Sequence, residues 1–414
     1  MPELTLVLET SNGTFVRHIP DASPLPAVDE QGHEAEDAIR DAAATFGMPD
    51  FFFLPKQQRN GSSMRELGDG TVIVGPRAAV LQSKSRSRPG GDAAKEVAWL
   101  TKNIKKALSQ ASGTIRRLTN TPAVLTNARG RAIRVDGAAH EWLSIIIVDH
   151  PDVPQGYRPP PVSGSTPAVV LMRRDWEFLF DHLYSTRAVL AYLHRVAGEP
   201  LDLGDEPRRY HEFALADLEA VPDPVAPGLA GLGTAVSTAR APLNPAGRED
   251  MAAHLLLRVI MEDIARSSFA EDREALRIKV LADLDGFPIE ARTELGRTLL
   301  GHLSTIGSWT GEGVRTETRL VAPNPDEFTP MVFMVASRFD EDVRGLFHGR
   351  VHLLHYDLHG EDAADHRSVV GVLLTPSRHR ERLWDTTMFA LDGPQGYVPV
   401  RMEEVRAMFA QATP

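Results

Sequence analysis

The sequence predicts an α/β protein, on three observations. Short, strongly apolar runs such as TVIVG (71–75), EWLSIIIVD (141–149) and AVVLM (168–172) are too brief for typical helices and read as buried strands. They alternate with longer segments of helical periodicity, of which 93–118 is the clearest. A Pro- and Gly-rich stretch with few charges, 222–247, then separates this pattern from a second one. With 42% hydrophobic and 24% charged residues among 414, the chain has ample material for packed cores.

Taken in order, residues 1–29 are polar and dotted with proline, with one strand expected over Leu4–Leu8. HEAEDAIRDAAATF (33–46) reads as a helix, because Ala35, Ile39, Ala42 and Phe46 recur at the helical period. FFFLP (51–55) is a short buried strand. TVIVG (71–75) and AAVLQSK (78–84) form a hairpin around Gly75-Pro76-Arg77. The helix 93–118 carries the stripe Val97, Leu100, Ile104, Leu108, Ala111, Ile115 and Leu118. After the strands 141–149 and 168–172, residues 175–197 read as one amphipathic helix. Beyond the linker, 249–306 is expected to be helical. Strand and helix then alternate over 316–412, with MVFMVA, a helical or extended stretch near 341–358, SVVGVLLTP, LWDTTMFAL and a terminal helix.

Charge separates function classes. A formal net charge of −11 argues against a uniformly basic nucleic-acid binder. The lysines are nevertheless concentrated: six of the seven lie between Lys56 and Lys106. Between Gln82 and Arg117 stand nine Lys or Arg against two acids, Asp92 and Glu96. Such a run is either a solvated helix face or a footprint for a phosphate backbone. The absence of cysteine removes disulfides, thiolate nucleophiles and Cys-ligated metal centres. There is no G-x-S-x-G nucleophile elbow and no G-x-x-x-x-G-K-[ST] phosphate loop. Any ATP-driven step therefore falls to a separate ATPase or sensor partner. His352, His355 and His359 in HLLHYDLHGE read as a histidine-rich stretch rather than a metal centre.

The chemistry concentrates in ELGDGTVIVGPRAAVLQSKSR (66–86). Asp69 stands at the mouth of the first hairpin strand. Gln82 and Lys84 lie two apart on the second, so they share a face. A tight turn near Pro76 sets Asp69 across from residues 83–84, give or take one position. An acid, a side-chain carbonyl and a lysine would then meet. Oxygen ligands of this kind suit Mg²⁺, and an ammonium beside them suits metal-assisted phosphodiester hydrolysis. Glu34 and Glu36 flank the apolar stripe of the first helix on opposite sides about equally, and the helical wheel does not choose between them. Glu66 is a second-rank ligand candidate.

This order of parts resembles the PD-(D/E)xK nuclease superfamily, and the QxK form looks most like its Mrr-type and NERD-like branches. The parts are a helix with an acid, then GD, a strand ending in QSK, and a long helix carrying a glutamine. The resemblance covers residues 30–150. It implies a restriction-endonuclease-like mixed sheet flanked by helices; the helical segment and the C-terminal α/β region that follow lie outside the resemblance. It also implies that Asp69 is the principal metal ligand, Gln82 the ligand where most relatives have Glu, and Lys84 the motif lysine. Glu36, through the spacing GHEAE (32–36), would be the helix acid, and Gln110 an inward glutamine of the long helix. The metal would be Mg²⁺, with Mn²⁺ as a substitute, and the partner DNA, in a setting such as restriction or phage defence. Lys102, Lys105, Lys106, Arg116 and Arg117 are the expected phosphate contacts.

The expected organisation is a nuclease-like domain over 1–221, a flexible linker over 222–247, and a helical plus α/β domain over 248–414 of unassigned role. The alternative to an enzyme is a non-catalytic nucleic-acid-binding or scaffold protein on a decayed nuclease fold. No run approaches 18 apolar residues and no secretory leader is read at the N-terminus, so a cytoplasmic protein without a membrane partner is expected. Self-association into a homo-oligomer is left open.

Overall fold

The computed structural model describes the chain except residues 1–3, 11–12, 27–30, 55–56, 61–62, 67–68, 162–165, 220–240, 243–249, 268–272, 322–328, 360–367, 378–381, 394 and 412–414. In chain order the first elements are β1 (Leu4–Thr10), β2 (Gly13–Ile19), α1 (Gln31–Thr45), β3 (Phe52–Phe53), β4 (Gln57–Asn60), β5 (Ser63–Glu66), β6 (Gly70–Val74) and β7 (Arg77–Ser85). Then follow α2 (Ala93–Asn120), β8 (Ala123–Thr126), β9 (Ala132–Val135), β10 (Glu141–Asp149), β11 (Ala168–Met172), α3 (Arg173–Leu183), α4 (Thr186–Val196) and α5 (Glu206–Glu219). The remainder comprises α6 (Met251–Arg266), α7 (Glu274–Asp285), α8 (Ile289–Gly307), β12 (Thr316–Val321), β13 (Met331–Ala336), α9 (Glu341–His359), β14 (Val369–Pro376), β15 (Trp384–Leu391) and α10 (Pro399–Gln411). The protein is mixed α/β. Among the described residues no helix is long and apolar enough to cross a membrane.

The chain divides into two compact units. The first comprises Met1–Val221 together with Thr238–Pro245 and Ala270–Ile289, so α7 belongs to it. Of the stretch 222–247, only Ala241 and Pro242 are among the described residues.

The first unit is built on a five-stranded sheet in the order β3-β6-β7-β10-β11. β3, β6 and β7 are antiparallel neighbours, whereas β7, β10 and β11 run parallel. Gly75 (φ 56°) and Pro76, whose ring holds φ near about −65°, supply the two-residue turn between β6 and β7. β10 is buried from Trp142 to Val148, as a strand covered on both faces must be. The α2 stripe Ala107, Ala111, Ile115 and Leu118 packs on Ala78 and Val80 of β7 and Trp142 and Ile146 of β10. Asp92 caps α2, accepting from the amides of Ala94 and Lys95.

Two local expectations change. The N-terminal region holds an antiparallel hairpin, β1 with β2, rather than one strand and a loop. Residues 175–197 are not one helix. Tyr184 adopts the left-handed conformation (φ 49°) and closes α3, and Ser185 starts α4 by accepting the Ala188 amide at 2.9 Å. The apolar period runs through both helices, which is why the break is invisible to it. The Ser185 hydroxyl also donates to the Asp285 carbonyl at 2.6 Å, and the Asp285 carboxylate accepts the Arg187 amide at 2.8 Å, which anchors α7 to α4.

The second unit carries a four-stranded sheet in the order β12-β13-β14-β15. β13 and β14 are parallel and joined through α9, and the outer pairs are antiparallel. Its core sets Val332, Met334 and Ala336 of β13 and Val369 and Leu373 of β14 against Val343, Phe347 and Val351 of α9. α6 and α8 approach closely at Gly296, where a Cβ would stand 2.4 Å from the Ala253 carbonyl oxygen. The histidine-rich stretch is the end of α9. There His352 Nδ1 lies 3.2 Å from the Tyr397 hydroxyl and the His355 ring is buried against Tyr397.

Candidate active site

The hairpin register fixes the geometry. Gly70 pairs with Leu81 and Val74 with Arg77. Asp69 therefore stands opposite Gln82, one position from the expected 83–84. Its amide donates to the Leu81 carbonyl at 3.2 Å, and its Oδ2 accepts the Ser83 amide at 2.5 Å. The carboxylate is thereby fixed against β7 by the backbone of the QSK motif itself.

A pocket opens at this point, lined by Glu36, Ile39, Phe52, Asp69, Leu81, Gln82, Ser83 and Ile147. It draws on α1, β3, the residue before β6, β7 and β10. Glu36, Asp69 and Gln82 thus border one pocket, although they are dispersed along the chain. Glu34, the alternative helix acid, is not part of the lining; Glu36 is, one turn before Ile39. Gln82 is buried, and its Nε2 donates to the Leu81 carbonyl at 3.2 Å.

Lys84 is half-buried and donates from Nζ to the Ser83 carbonyl at 2.6 Å. Burial lowers its pKa below the ordinary lysine value, Asp69 and Glu36 oppose that shift, and Lys106 adds to it. The motif lysine thus sits within electrostatic reach of both pocket carboxylates. It does not itself line the pocket.

Gln110 departs from its expected place. It lies on the exposed flank of α2, outside the pocket lining. The face that α2 turns to the sheet is occupied at this level by Ala107 and Ala111, and the helical period carries Gln110 off that face. Lys102, Lys105, Lys106 and Arg116 are exposed and Arg117 is half-buried. None of Lys102, Lys105, Lys106 and Arg116 has an ion-pair partner among the described residues. The side chain of Glu66 lies outside the described residues.

The sequence reading missed a buried cluster just beyond the motif. Glu96, in the first turn of α2, accepts from Arg86 Nη2 at 2.7 Å and from the Gly90 amide at 2.8 Å. His150 Nε2 lies 2.9 Å from Glu96, and its Nδ1 accepts the Asp152 amide, so Nε2 carries the proton. These partners, Arg86 foremost, hold the Glu96 carboxyl down at about 2. Arg86 also lies over the Trp99 ring, 5.2 Å from its centre. The cluster ties the loop after β7 to α2 and to the end of β10. Its only sequence signal was an acid one turn before Leu100 of the apolar stripe, and it is Glu96 rather than the expected Val97 that is buried there.

As a donor set, Glu36, Asp69 and Gln82 offer only oxygen, which suits a hard cation that keeps several waters. One oxygen of Asp69 is already engaged by Ser83. Among the described residues no group of three or more His, Asp or Glu has the arrangement of a metal centre. The set here is two carboxylates and an amide. No family model, curated protein or solved structure matches the chain.

Proposed function

We propose that the protein is a metal-dependent phosphodiester hydrolase acting on DNA, of the PD-(D/E)xK type. The observation that carries the reading is the meeting of Glu36, Asp69 and Gln82 in one pocket with Lys84 in electrostatic reach. The order α1, β3, β6, β7, α2, β10, with three antiparallel strands followed by parallel ones, supports the same reading. Glu36, Asp69 and Gln82 would hold Mg²⁺ or Mn²⁺. When bound, such an ion polarises a phosphate and lowers the pKa of water. Asp69, held by the Ser83 amide, is pre-set for this role rather than free to swing. Lys84 keeps an ammonium beside the developing charge and orients the attacking water. Water adds to phosphorus, the ester P–O bond breaks, and the leaving oxygen takes up a proton.

A second reading, a non-catalytic nucleic-acid binder, is favoured by Lys102, Lys105, Lys106 and Arg116 of α2, exposed cations without an ion-pair partner among the described residues. That binder needs no metal. Incubating the chain with plasmid, linear DNA and RNA in Mg²⁺, Mn²⁺ or EDTA separates the two. Metal-dependent cleavage supports the hydrolase, and salt-sensitive binding without cleavage supports the binder. A restriction or defence setting, with a separate ATPase or sensor as partner, follows only from the resemblance.

A further inference from the structure

A second lysine stands at the height of Lys84. Ala78 and Val80 pack on α2, so the β7 face that continues through Gln82 and Lys84 is the one α2 covers. The parallel register sets the level. Ile146, paired with Gln82, packs in one cluster with Ala107 and Ala111. Val148, paired with Lys84, packs in another with Leu100 and Ile104. Lys106 falls between these positions, on the α2 flank that it shares with Gln110 at i+4. It is exposed, and no carboxylate pairs with it among the described residues. It is one of the charges that act on Lys84.

Asp69 and Glu36 offset the charge of Lys84, but among the described residues no paired acid offsets that of Lys106. An anion between the two ammonium groups would relieve their repulsion. We propose that Lys106 is a substrate-binding residue of this site, holding one non-bridging oxygen of a phosphodiester while Lys84 faces the other. The inference rests on the reading of the pocket as a phosphodiester hydrolase and names the group that fixes its substrate. A carboxylate could also sit between two lysines, but it carries no chain of further anions to meet the neighbouring cations of α2. Lys102 and Lys105, on the neighbouring turn, would meet adjacent phosphates of a polymer.

The test is amine labelling of the full chain in EDTA, read by mass spectrometry at Lys84 and Lys106, with a short thymidine oligonucleotide as probe. The oligonucleotide should slow labelling of both lysines. Lys106→Met should weaken its protection of Lys84 by about tenfold, the worth of one charge-assisted hydrogen bond. Lys95→Met, at the first turn of α2 beside Asp92, should leave that protection unchanged. Undiminished labelling of Lys106 at saturating oligonucleotide would overturn the proposal. So would wild-type protection of Lys84 in Lys106→Met. A wild-type chain that shows the protection yet never hydrolyses DNA with Mg²⁺ or Mn²⁺ would sink the hydrolase and leave the Lys106 assignment supported. Hydrolysis by Lys106→Met at the wild-type KM would overturn the Lys106 assignment alone.

Discussion

The Asp69 carboxylate accepts the backbone amide of Ser83 at 2.5 Å, so the acid that opens the motif is held by the strand that closes it. This bond has a structural as well as a chemical consequence. Asp69→Ala leaves the buried Ser83 amide without its acceptor and should cost about 1–3 kcal/mol. Asp69→Asn keeps an acceptor and should be nearly as stable as wild type while losing cleavage. Denaturant titration of both variants beside a cleavage assay checks the split.

Gln82→Glu places a third carboxylate against Asp69 and Glu36 at a buried position. In EDTA the repulsion should lower Tm, by roughly 2–4 °C for each kcal/mol, given a first unit of this size. Added Mn²⁺ should raise the variant's Tm by more than it raises the wild type's, because the stabilisation by a bound ion grows with the logarithm of its affinity. Equal metal-induced shifts would argue that Gln82 is not a ligand.

Glu96 gives a prediction in pH. Its carboxyl lies at about 2 in the folded chain against an ordinary 4.5, chiefly through Arg86. A depressed acid contributes stability that is present above the unfolded value and is lost as pH falls through the folded one. Glu96→Gln should therefore be less stable than wild type at pH 7, and the gap should close between 4.5 and about 2. Chemical denaturation across that range measures it.

Neutralising Lys102, Lys105 and Arg116 together should weaken DNA binding without regard to sequence. The slope of log affinity against log salt should flatten by roughly 0.9 for each duplex phosphate that the variant no longer neutralises. An unchanged slope would return these residues to an ordinary solvated face.

Much of the first unit was legible because its signals are local. The β6–β7 hairpin followed from two β-rich runs around Gly75-Pro76, and α2 from an unbroken apolar stripe. The expected register stands one position off, since periodicity fixes the face of a strand better than its partner. Glu36 could be told from Glu34 only once α1 was set beside β7, because a helical wheel cannot say which flank a sheet covers. The break at Tyr184 and the return of α7 to the first unit depend on residues far apart in sequence. Asp285 holds Ser185 and Arg187 across about a hundred residues, and no window of sequence contains both. The Glu96 cluster was hidden for the same reason: its partners come from a loop, a helix and the end of a strand.

Whether Asp69, Gln82, Glu36 and Lys84 form one hydrolytic site is tested most directly by the initial rate of cleavage of end-labelled duplex DNA. The rate is measured in Mg²⁺ and in EDTA, for wild type beside Lys84→Ala. A site of this kind predicts cleavage by wild type in Mg²⁺, none in EDTA, and a loss of at least about a hundredfold in Lys84→Ala, the scale of one missing charge-stabilising group. Cleavage by Lys84→Ala at the wild-type rate, or by wild type in EDTA, would contradict it.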